Sequence, residues 1–377
     1  MNQIARQVVV AGMDPANVAA QLIEQLAAPD LRLALVFACS RIDQGALAAA
    51  LHPLRAPVVG CAAAGVIGPR APLDGQATAA IGFYGDWLRC GIGVAADLPK
   101  SPLARSREAM IRAATMLGTT PEQLDPNRHV GIGIVEGTMG FEEAFCIGSA
   151  ATAPQIRFTG GAASVPFTAP LNTKAPVWVN GEVVRDGGAV VLLESKLPFH
   201  AINSCHLTPT NLKTVVTAAT DRVIHELDGK PAIERVRELI TKLGDTVLEP
   251  APHHSFARLV DGVHYVRSML FVDDGVMLIG SQPELGHVLR IMRPGDLIGT
   301  TQHDLAEARA KVGGQIGAML AFSCAGRHTE AAAYKNERVF AGCYAEHSTI
   351  GFQTFGEQTG MLLVHNTLTG LAIGVPA

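Results

Sequence analysis

Hydrophobic runs that end in small polar residues recur along the chain, and each is followed by an Ala-rich stretch with helical spacing. The clearest copy covers residues 316–374 and opens with an apolar run that ends at Phe322-Ser-Cys324-Ala-Gly326-Arg327. A polar, Ala-rich span at 329–338 predicts a helix, a glycine-bracketed turn follows at 351–357, and an apolar run closes the copy at 368–375. The pattern predicts strand, helix, strand, glycine turn and strand.

Two further copies of this pattern lie upstream. The first has apolar runs at 33–40, 58–65 and 77–83 with a helix at 45–51, and the looser second has runs at 130–137, 156–164 and 188–193 with a helix at 141–150. A repeated unit places equivalent loops at equivalent ends of the fold. We therefore expect function where these loops meet.

The segments between the copies complete an α/β fold, with α+β as the alternative. Asp14-Pro15 caps a first helix, a second begins at Ser101-Pro102 with Ile111 facing inward, and Asn180-Gly181 predicts a hairpin. Residues 166–174 predict an exposed loop. Downstream we expect strands at 215–219 and 222–226, a helix at 232–243, a hairpin at 263–271 and 275–280, and a helix at 302–312 capped by Thr300-Thr301.

Breaks in the pattern at 196–198 and 208–211 predict a domain boundary near residue 200. The expected architecture is two domains of repeated strand-helix-strand units that form layered mixed sheets. Residues 1–200 would hold two copies of the unit, and residues 201–377 would hold the third.

Composition narrows the class of protein. Of the 377 residues, 48% are hydrophobic and 17% are charged, which favours large buried sheets. A net charge of -4 without a basic stripe argues against nucleic acid as a partner. Seven scattered cysteines are typical of a reducing compartment, and neither a signal peptide nor a long apolar span is evident, so we expect a cytoplasmic protein without a membrane partner.

Six motifs, in the same order along nearly the whole chain, resemble the FIST sensory family, whose members carry an N-terminal and a C-terminal FIST domain. The motifs are Val59-Gly60-Cys61-Ala-Ala-Ala-Gly65, Glu226-Leu-Asp228-Gly229-Lys-Pro231-Ala232, Val266-Arg267-Ser268, Phe322-Ser-Cys324-Ala-Gly326-Arg327, Gly351-Phe-Gln-Thr-Phe-Gly356-Glu357 and His365-Asn366-Thr367.

The resemblance implies an input protein that binds a small molecule, such as an amino acid, and signals to a partner. Stand-alone members of this length resemble the NosP-type nitric-oxide sensors, which hold b-type haem and act on histidine kinases and on the diguanylate cyclases or phosphodiesterases of cyclic-di-GMP signalling. Two departures lie where a pocket is expected. The family's closing element usually reads His-Asn-Gln-Thr, and in this sequence the Gln after Asn366 is absent. The family's Pro-Glu-Gly corresponds here to Pro283-Glu284-Leu285-Gly286.

Two arginines and a glutamate that follows a glycine turn are the candidate ligand-binding residues. Arg267 and Arg327 follow apolar strand segments, where a guanidinium can clamp the carboxylate of an amino acid or of a haem propionate. The alternative is a structural ion pair with a carboxylate such as Glu357. Glu357, after Gly356 at a strand end, is a candidate acceptor for a ligand ammonium group, or else holds its own loop.

A b-type haem requires a histidine whose neutral nitrogen faces an apolar pocket. His365 occupies a family position, and His264 and His287 lie on predicted strands, so each is a candidate axial ligand; the alternative for each is an ordinary hydrogen-bonded or exposed histidine. His253 and His254 are expected to be exposed. The chain has no Cys-x-x-Cys-His motif for covalent haem.

Catalytic motifs are sparse, so we expect no enzyme. Cys324 stands at a predicted strand end, where a nucleophile and a buried small thiol are both possible readings. The glycines at 60–65 and 160–161 either cradle an anion or permit turns. Three hypotheses follow in order: a haem-based nitric-oxide sensor, a haem-free sensor of an amino acid or other small carboxylate, and an enzyme that uses Cys324 or Glu357.

Overall fold

Three copies of one unit build most of the protein. The computed structural model describes residues 4–69, 71, 76–170, 173–247, 253–260, 262–271 and 277–375. We call the copies modules 1, 2 and 3, and we call the segment that interrupts module 3 the inserted module. The repeated strand-helix-strand units and the mixed α/β fold are confirmed.

Modules 1 and 2 follow each other directly in the chain. Module 1 comprises β1 (Ala5–Ala11), α1 (Pro15–Leu26), β2 (Leu31–Cys39), α2 (Gln44–Ala50), β3 (Val58–Ala63), β4 (Val66–Ile67) and β5 (Ala77–Tyr84). Module 2 comprises β6 (Leu88–Ala95), α3 (Pro102–Met116), β7 (His129–Glu136), α4 (Glu142–Ala150), β8 (Arg157–Ala163), β9 (Val177–Val179), β10 (Glu182–Val184) and β11 (Gly188–Ser195).

Module 3 starts with one strand and resumes after the inserted module. Its first strand is β12 (Phe199–Ser204). The inserted module comprises β13 (Thr208–Thr220), β14 (Val223–Leu227), β15 (Lys230–Pro231), α5 (Ala232–Lys242), β16 (Ser255–Val260), β17 (Val263–Arg267), β18 (Met269–Phe271), β19 (Met277–Ile279) and β20 (Val288–Arg293). Module 3 then continues with α6 (Leu297–Lys311), β21 (Ile316–Cys324), α7 (Ala325–Ala333), α8 (Glu337–Glu346), β22 (Thr349–Thr354), β23 (Glu357–Thr359), β24 (Leu362–Val364) and β25 (Leu368–Gly374).

The three modules share one strand order. In each, the first strand pairs antiparallel with the last, the last pairs antiparallel with the second, and the second pairs parallel with the third. The resulting sheets run β1-β5-β2-β3, β6-β11-β7-β8 and β12-β25-β21-β22. The parallel pair needs a crossover, which α2, α4 or the α7–α8 pair supplies.

Strands from the neighbouring module close each sheet. The β9–β10 hairpin of module 2 pairs with β3 of module 1, β23–β24 of module 3 pairs with β8 of module 2, and β4 of module 1 pairs with β22 of module 3. These exchanges provide backbone partners for part of each third strand, over two residues of β22 and three residues each of β3 and β8. The modules therefore form a closed ring, which we call the barrel.

The barrel has an apolar interior because alternate residues of every sheet point inward. Phe37, Phe322 and Phe352 meet there, with ring centroids 4.8 to 6.3 Å apart. The outer faces of the sheets pack against helices α1 and α2, α3 and α4, and α6 and α8. None of the helices in the described ranges is long and apolar enough to cross a membrane.

The inserted module is a separate sheet with its own core. Strand β13 pairs with β20 and β14, and β16 joins β20 to β17. Helix α5 packs Val236, Leu239 and Ile240 against this sheet. Strands β18 and β19 pair as the sequence predicts, although Gly275, where that second strand was expected to begin, lies outside the described residues.

Several local predictions are confirmed. The Asp14 carboxylate accepts a hydrogen bond from the backbone N–H of Asn17 at 2.7 Å and so caps α1. Asn180 and Gly181 both have positive φ, at 50° and 92°, and turn β9 into β10. The boundary near residue 200 stays a prediction.

Other local predictions are wrong. Helix α6 begins at Leu297, not 302, because Asp296 accepts from the Gly299 N–H at 2.8 Å and caps it earlier than the two threonines do. Residues 208–211 start β13 and do not break the fold. The helix expected at 329–338 is two helices, since Lys335 takes a φ of +57°. The turn expected from 351 belongs largely to β22, and Ile111 is partly exposed.

We expect the Phe322→Ala variant to lose about 3–5 kcal/mol of unfolding free energy, because it opens a void where two sheets meet. Urea denaturation followed by circular dichroism measures this. The matched surface change Leu103→Ala, at a side chain that is 52% exposed, should stay within about 0.5 kcal/mol of the wild type. Equal losses in the two variants would contradict the shared core.

Candidate functional site

A cavity of ≈ 640 Å³ lies where modules 2 and 3 meet the inserted module. Its size falls within the range of ligand and cofactor pockets, about 300–1,000 Å³. Residues 137–141 after β7 and the loop after β8 form one side, and the start of α7 with the loops after β22 and β24 forms another. The turn between β13 and β14, together with residues 268–270 and 279–282, covers it.

Two helices begin at the cavity because strands β7 and β21 end there. Gly137 comes so close to the backbone that a Cβ atom would lie 2.1 Å from the Ala163 carbonyl oxygen, and Gly140 has a φ of +87°. These glycines allow the sharp turn from β7 into α4. Cys324 ends β21 and directly precedes α7, so its side chain lies at the cavity wall.

Aromatic and aliphatic side chains form most of the wall. The rings of Phe167 and Phe355 stack with centroids 5.4 Å apart, and Phe141, Met269 and Ile279 continue the apolar surface. Phe167 belongs to the 166–174 segment, which the sequence predicts as an exposed loop. Phe167 is 47% exposed, and Pro166, Ala169 and Pro170 of the same segment also line the cavity, so this loop is a wall of the site.

One end of the cavity, which we call the polar end, carries Glu330, Thr329, His253 and Asn366. The Glu330 carboxylate accepts a hydrogen bond from Nε2 of the buried His206 at 2.9 Å. Burial lowers the pKa of His206, although Glu330 opposes this shift. A neutral imidazole is therefore the donor, and the Glu330 carboxylate is the acceptor.

Two arginines of the inserted module pair with the first turn of α4. Arg222, which lines the cavity, donates to the buried carboxylate of Glu142. Arg267 donates to Glu143 at 2.8 Å and also to the Leu363 carbonyl. The cover of the cavity is thus tied to module 2 by ion pairs that are largely shielded from water.

The two arginines proposed from the sequence as carboxylate clamps do not line the cavity. Arg267 is engaged as described above, and Arg327 donates to the Thr301 hydroxyl at 2.5 Å and to the Ser204 carbonyl at 3.4 Å. Arg327 also lies 5.7 Å from the ring centroid of Phe340, on the helix side of the sheet. Neither forms a direct ion pair with Glu357 among the described residues.

Glu357 is fully buried beneath the cavity and holds its own loop. Its carboxylate accepts hydrogen bonds from the Thr354 hydroxyl, the Thr367 hydroxyl at 2.6 Å and the Thr367 N–H at 3.1 Å. Burial raises its pKa to about 7 against the opposing effect of these donors and of Arg327. Gly356, with a φ of +132°, provides the turn before it and leaves room for the ring of His365.

Cys324 lines the cavity but has the properties of a protonated thiol. Burial, and next the Glu357 carboxylate, raise its pKa well above the ordinary value, while the N–H groups of Gly326 and Asn366 oppose the shift. A reactive cysteine needs a lowered pKa. Cys324 therefore lies at the site, but its surroundings do not lower the pKa of its thiol.

Of the three candidate haem ligands, His365 alone is among the lining residues. Burial, and next Arg267 and Arg222, lower its pKa well below the ordinary value, while the backbone groups of Val266 and Gly280 oppose this shift. Neither ring nitrogen makes a well-formed hydrogen bond with the described residues. The ring packs so closely on Gly280 that a Cβ atom there would lie 2.3 Å from Nε2. His264 lies on β17 away from the cavity, and His287 pairs with Glu284 at 2.7 Å near the surface.

His253 and His254 are buried, so the prediction that they are exposed is wrong. His254 Nε2 contacts the Asp245 carboxylate at 2.9 Å, and His253 lines the polar end with its Nδ1 unpartnered. The burial comes from long-range packing of the inserted module, which the local sequence does not reveal. Arg222 and Glu330 were also missed, and no local motif marks them.

The glycine corners serve strand packing. A Cβ atom at Gly60 would fall 2.1 Å from the Trp178 ring, and one at Gly160 would fall 2.0 Å from the Gly133 carbonyl oxygen. Neither corner lines the cavity. One group of potential metal ligands in the described part of the chain, His303, Asp304 and Glu307, lies on the outer surface of α6 and away from the site.

Comparison with known proteins identifies both halves of the chain. Residues 32–230 match the FIST N domain, and residues 232–359 match the FIST C domain. An uncharacterized protein of Methanocaldococcus jannaschii is 35% identical over 82 residues, which are 21% of this chain and 16% of that protein, so the match spans a small part of the relative's length.

Two solved structures show weak likeness to the whole chain. The cyanuric acid hydrolase from A. caulinodans gives a TM-score of 0.39 at 12% identity over 99% of both chains. The structure of PurLQS from Thermotoga maritima gives 0.20 at 10% identity over 99% of this chain and 74% of that one. Neither likeness is close enough to carry an argument.

The raised pKa of Glu357 predicts a pH dependence of stability. The unfolded carboxyl releases its proton near 4.5 and the native one near 7, so the native protein loses stability as pH rises between these values, by roughly 3 kcal/mol. Glu357→Gln removes this loss. The difference in Tm between this variant and the wild type should therefore grow in favour of the variant from pH 4.5 to pH 8.

Thermal unfolding across this pH range measures the effect, and the constant cost of the substitution cancels in the comparison. Glu24→Gln, at an exposed position on α1, is the control and should show a difference in Tm that does not change with pH. A flat difference for Glu357→Gln as well would contradict the burial of an ionisable carboxylate at this position.

Proposed function

Because the chain belongs to the FIST family, whose domains are sensory and bind small ligands, we propose that its ligand occupies the cavity between modules 2 and 3 and the inserted module. The cavity itself is the observation that carries this proposal. It combines an apolar body with a few convergent polar groups, which is the usual composition of a small-molecule site.

The position of the cavity supports a signalling role. A ligand there contacts elements of both FIST domains, and the cover is joined to α4 by the Arg222–Glu142 and Arg267–Glu143 pairs. A ligand that binds more tightly to one arrangement of the cover than to another shifts the balance between them. In our proposal a cytoplasmic partner, a histidine kinase or an enzyme of cyclic-di-GMP turnover, reads this change.

Nitric-oxide sensing through b-type haem is a second candidate, and His365 is the observation that favours it. Its neutral, unpartnered imidazole at an apolar cavity is the kind of group that ligates haem iron. Haem would supply the iron that binds nitric oxide. Both ring nitrogens of His365 are covered, Nε2 by the backbone at Gly280, so the ring has to turn towards the cavity before iron can reach it.

The remaining hypotheses have less support. Arg267 and Arg327 already have protein partners outside the cavity, so a carboxylate sensor would have to use Arg222, which is paired with Glu142. An enzyme that uses Cys324 or Glu357 lacks a lowered thiol pKa.

Blocking the cavity tests the first proposal. In a thermal-shift screen of a metabolite library, ligands at about 100 times their Kd should stabilise the wild type by about 2.7 kcal/mol. Ala169→Trp fills the cavity and should abolish the shift, whereas Ala104→Trp, at an exposed site on α3, should preserve it. Hits that bind Ala169→Trp as well as the wild type would contradict the location of the site.

Absorption spectroscopy tests the haem candidate. Protein from haem-supplemented cells should show a Soret band that shifts with nitric oxide. His365→Ala should remove the band, and His264→Ala and His287→Ala should retain it, because these two side chains lie outside the cavity. If no band forms after reconstitution with hemin, the candidate is discarded; if the band is lost in His264→Ala or His287→Ala, the ligand assignment is wrong.

A further inference from the structure

The polar end of the cavity carries a buried negative charge. Glu330 is 4% exposed and lines the cavity, and its Oε2 accepts from Nε2 of His206 at 2.9 Å. The His206 side chain is fully buried, so the pair fixes the orientation of the carboxylate from behind. Its other oxygen has no hydrogen bond recorded within the described ranges.

The groups beside Glu330 offer acceptors. The Thr329 hydroxyl donates to the Gly326 carbonyl at 2.8 Å, and the Asn366 amide nitrogen donates to the Ser255 hydroxyl at 2.6 Å. The oxygen lone pairs of both side chains and the second N–H of the Asn366 amide remain for a ligand. His253, also at this end, is at least nine-tenths buried and has an unpartnered Nδ1, which indicates that a polar group of an occupant completes the site.

Within the described ranges, no arginine or lysine forms an ion pair with Glu330. Arg222 carries the one fixed positive charge among the described lining residues, and it is paired with Glu142. Arg327 lies one helical turn before Glu330, but its guanidinium donates to Thr301 and Ser204 outside the cavity. A carboxylate that faces an apolar cavity without a direct ion pair to an arginine or lysine is costly to bury, so an occupant that supplies a positive charge gains affinity.

Resting on the proposed sensory function, we propose that the ligand is a protonated amine on an aromatic or apolar body, with its ammonium group on Glu330. An alkyl ammonium stays charged at neutral pH and has three N–H donors, which match the carboxylate and the neighbouring oxygens of Thr329 and Asn366. The side chains of Phe141, Phe167 and Phe355 in the wall suit an aromatic body.

This assignment separates ligand classes. A free carboxylate or a propionate placed against Glu330 would meet a like charge. An α-amino acid whose ammonium group is bound by Glu330 brings its own carboxylate close to that charge. The site therefore favours amines that lack a nearby anionic group.

Four indoles of nearly equal shape test the proposal on the whole protein: tryptamine, the neutral indole-3-ethanol, the anionic indole-3-propionate and the zwitterionic tryptophan. Isothermal titration calorimetry should rank tryptamine tightest, at least about tenfold ahead of the other three. Glu330→Gln keeps an acceptor for His206 and should weaken tryptamine about 10- to 100-fold, while the affinity for indole-3-ethanol changes little.

The control variant is Glu346→Gln, an exposed change at the end of α8 that should leave all four affinities as in the wild type. If indole-3-ethanol or indole-3-propionate binds as tightly as tryptamine, or if Glu330→Gln leaves tryptamine unaffected, the amine assignment is overturned while the sensory function stands. The ranking in the wild type is decisive even if Glu330→Gln does not fold. If none of the four indoles binds, the amine assignment is also overturned. The library screen with Ala169→Trp then tests the sensory function separately.

Discussion

The third strand of each module creates the constraint on which the architecture depends. Strands β3, β8 and β22 each leave a row of backbone N–H and C=O groups on the side away from their own module, and these groups need partners. The neighbouring module supplies them with β9–β10, β23–β24 or β4, so each sheet is finished by residues far away in the chain. The modules can complete their backbone hydrogen bonds together as a ring, and the shared apolar interior around Phe37, Phe322 and Phe352 follows from that closure.

The threefold repetition is broken where the site forms. The second strand of every module ends at a comparable place, at Cys39, Glu136 and Cys324, yet only the ends in modules 2 and 3 open onto the cavity. The inserted module makes the difference because it covers these two corners and adds Arg222 and the loop around Met269. Much of the apolar wall comes from barrel loops, Met269 and Ile279 of the inserted module add to it, and the closed geometry comes from this insertion into a single copy.

Much of the fold was predictable from the sequence because the repeat has a local signature. Each inward-facing apolar strand is followed by its helix, and Asn180-Gly181 specifies a turn by its own conformational preferences. The exchange of strands between modules was not predictable, since no local pattern says which distant edge a hairpin joins.

The site, like the fold, was predictable only where a local motif marks a residue. Cys324 and His365 were identified from motifs and do line the cavity, whereas Arg267 and Arg327 were expected there and lie elsewhere, because their orientation depends on Glu143 and Thr301. His253 was expected to be exposed and is buried, because its ring lies against Tyr334 from a distant part of the chain.

The inserted module enters and leaves the barrel at one seam, where Thr208 pairs directly with Arg293 across β13 and β20. Because both ends of the inserted module lie at this seam, the module can be exchanged as one unit. A different cover can be carried on the same two strands without disturbing the ring, since the ring's own hydrogen bonds lie between β12, β25, β21 and β22 on the other side of the seam. The cover and the ring are thus encoded in separate stretches of sequence, so exchanging the cover can reshape the cavity while Glu330 and the phenylalanine side chains of the wall stay with the barrel.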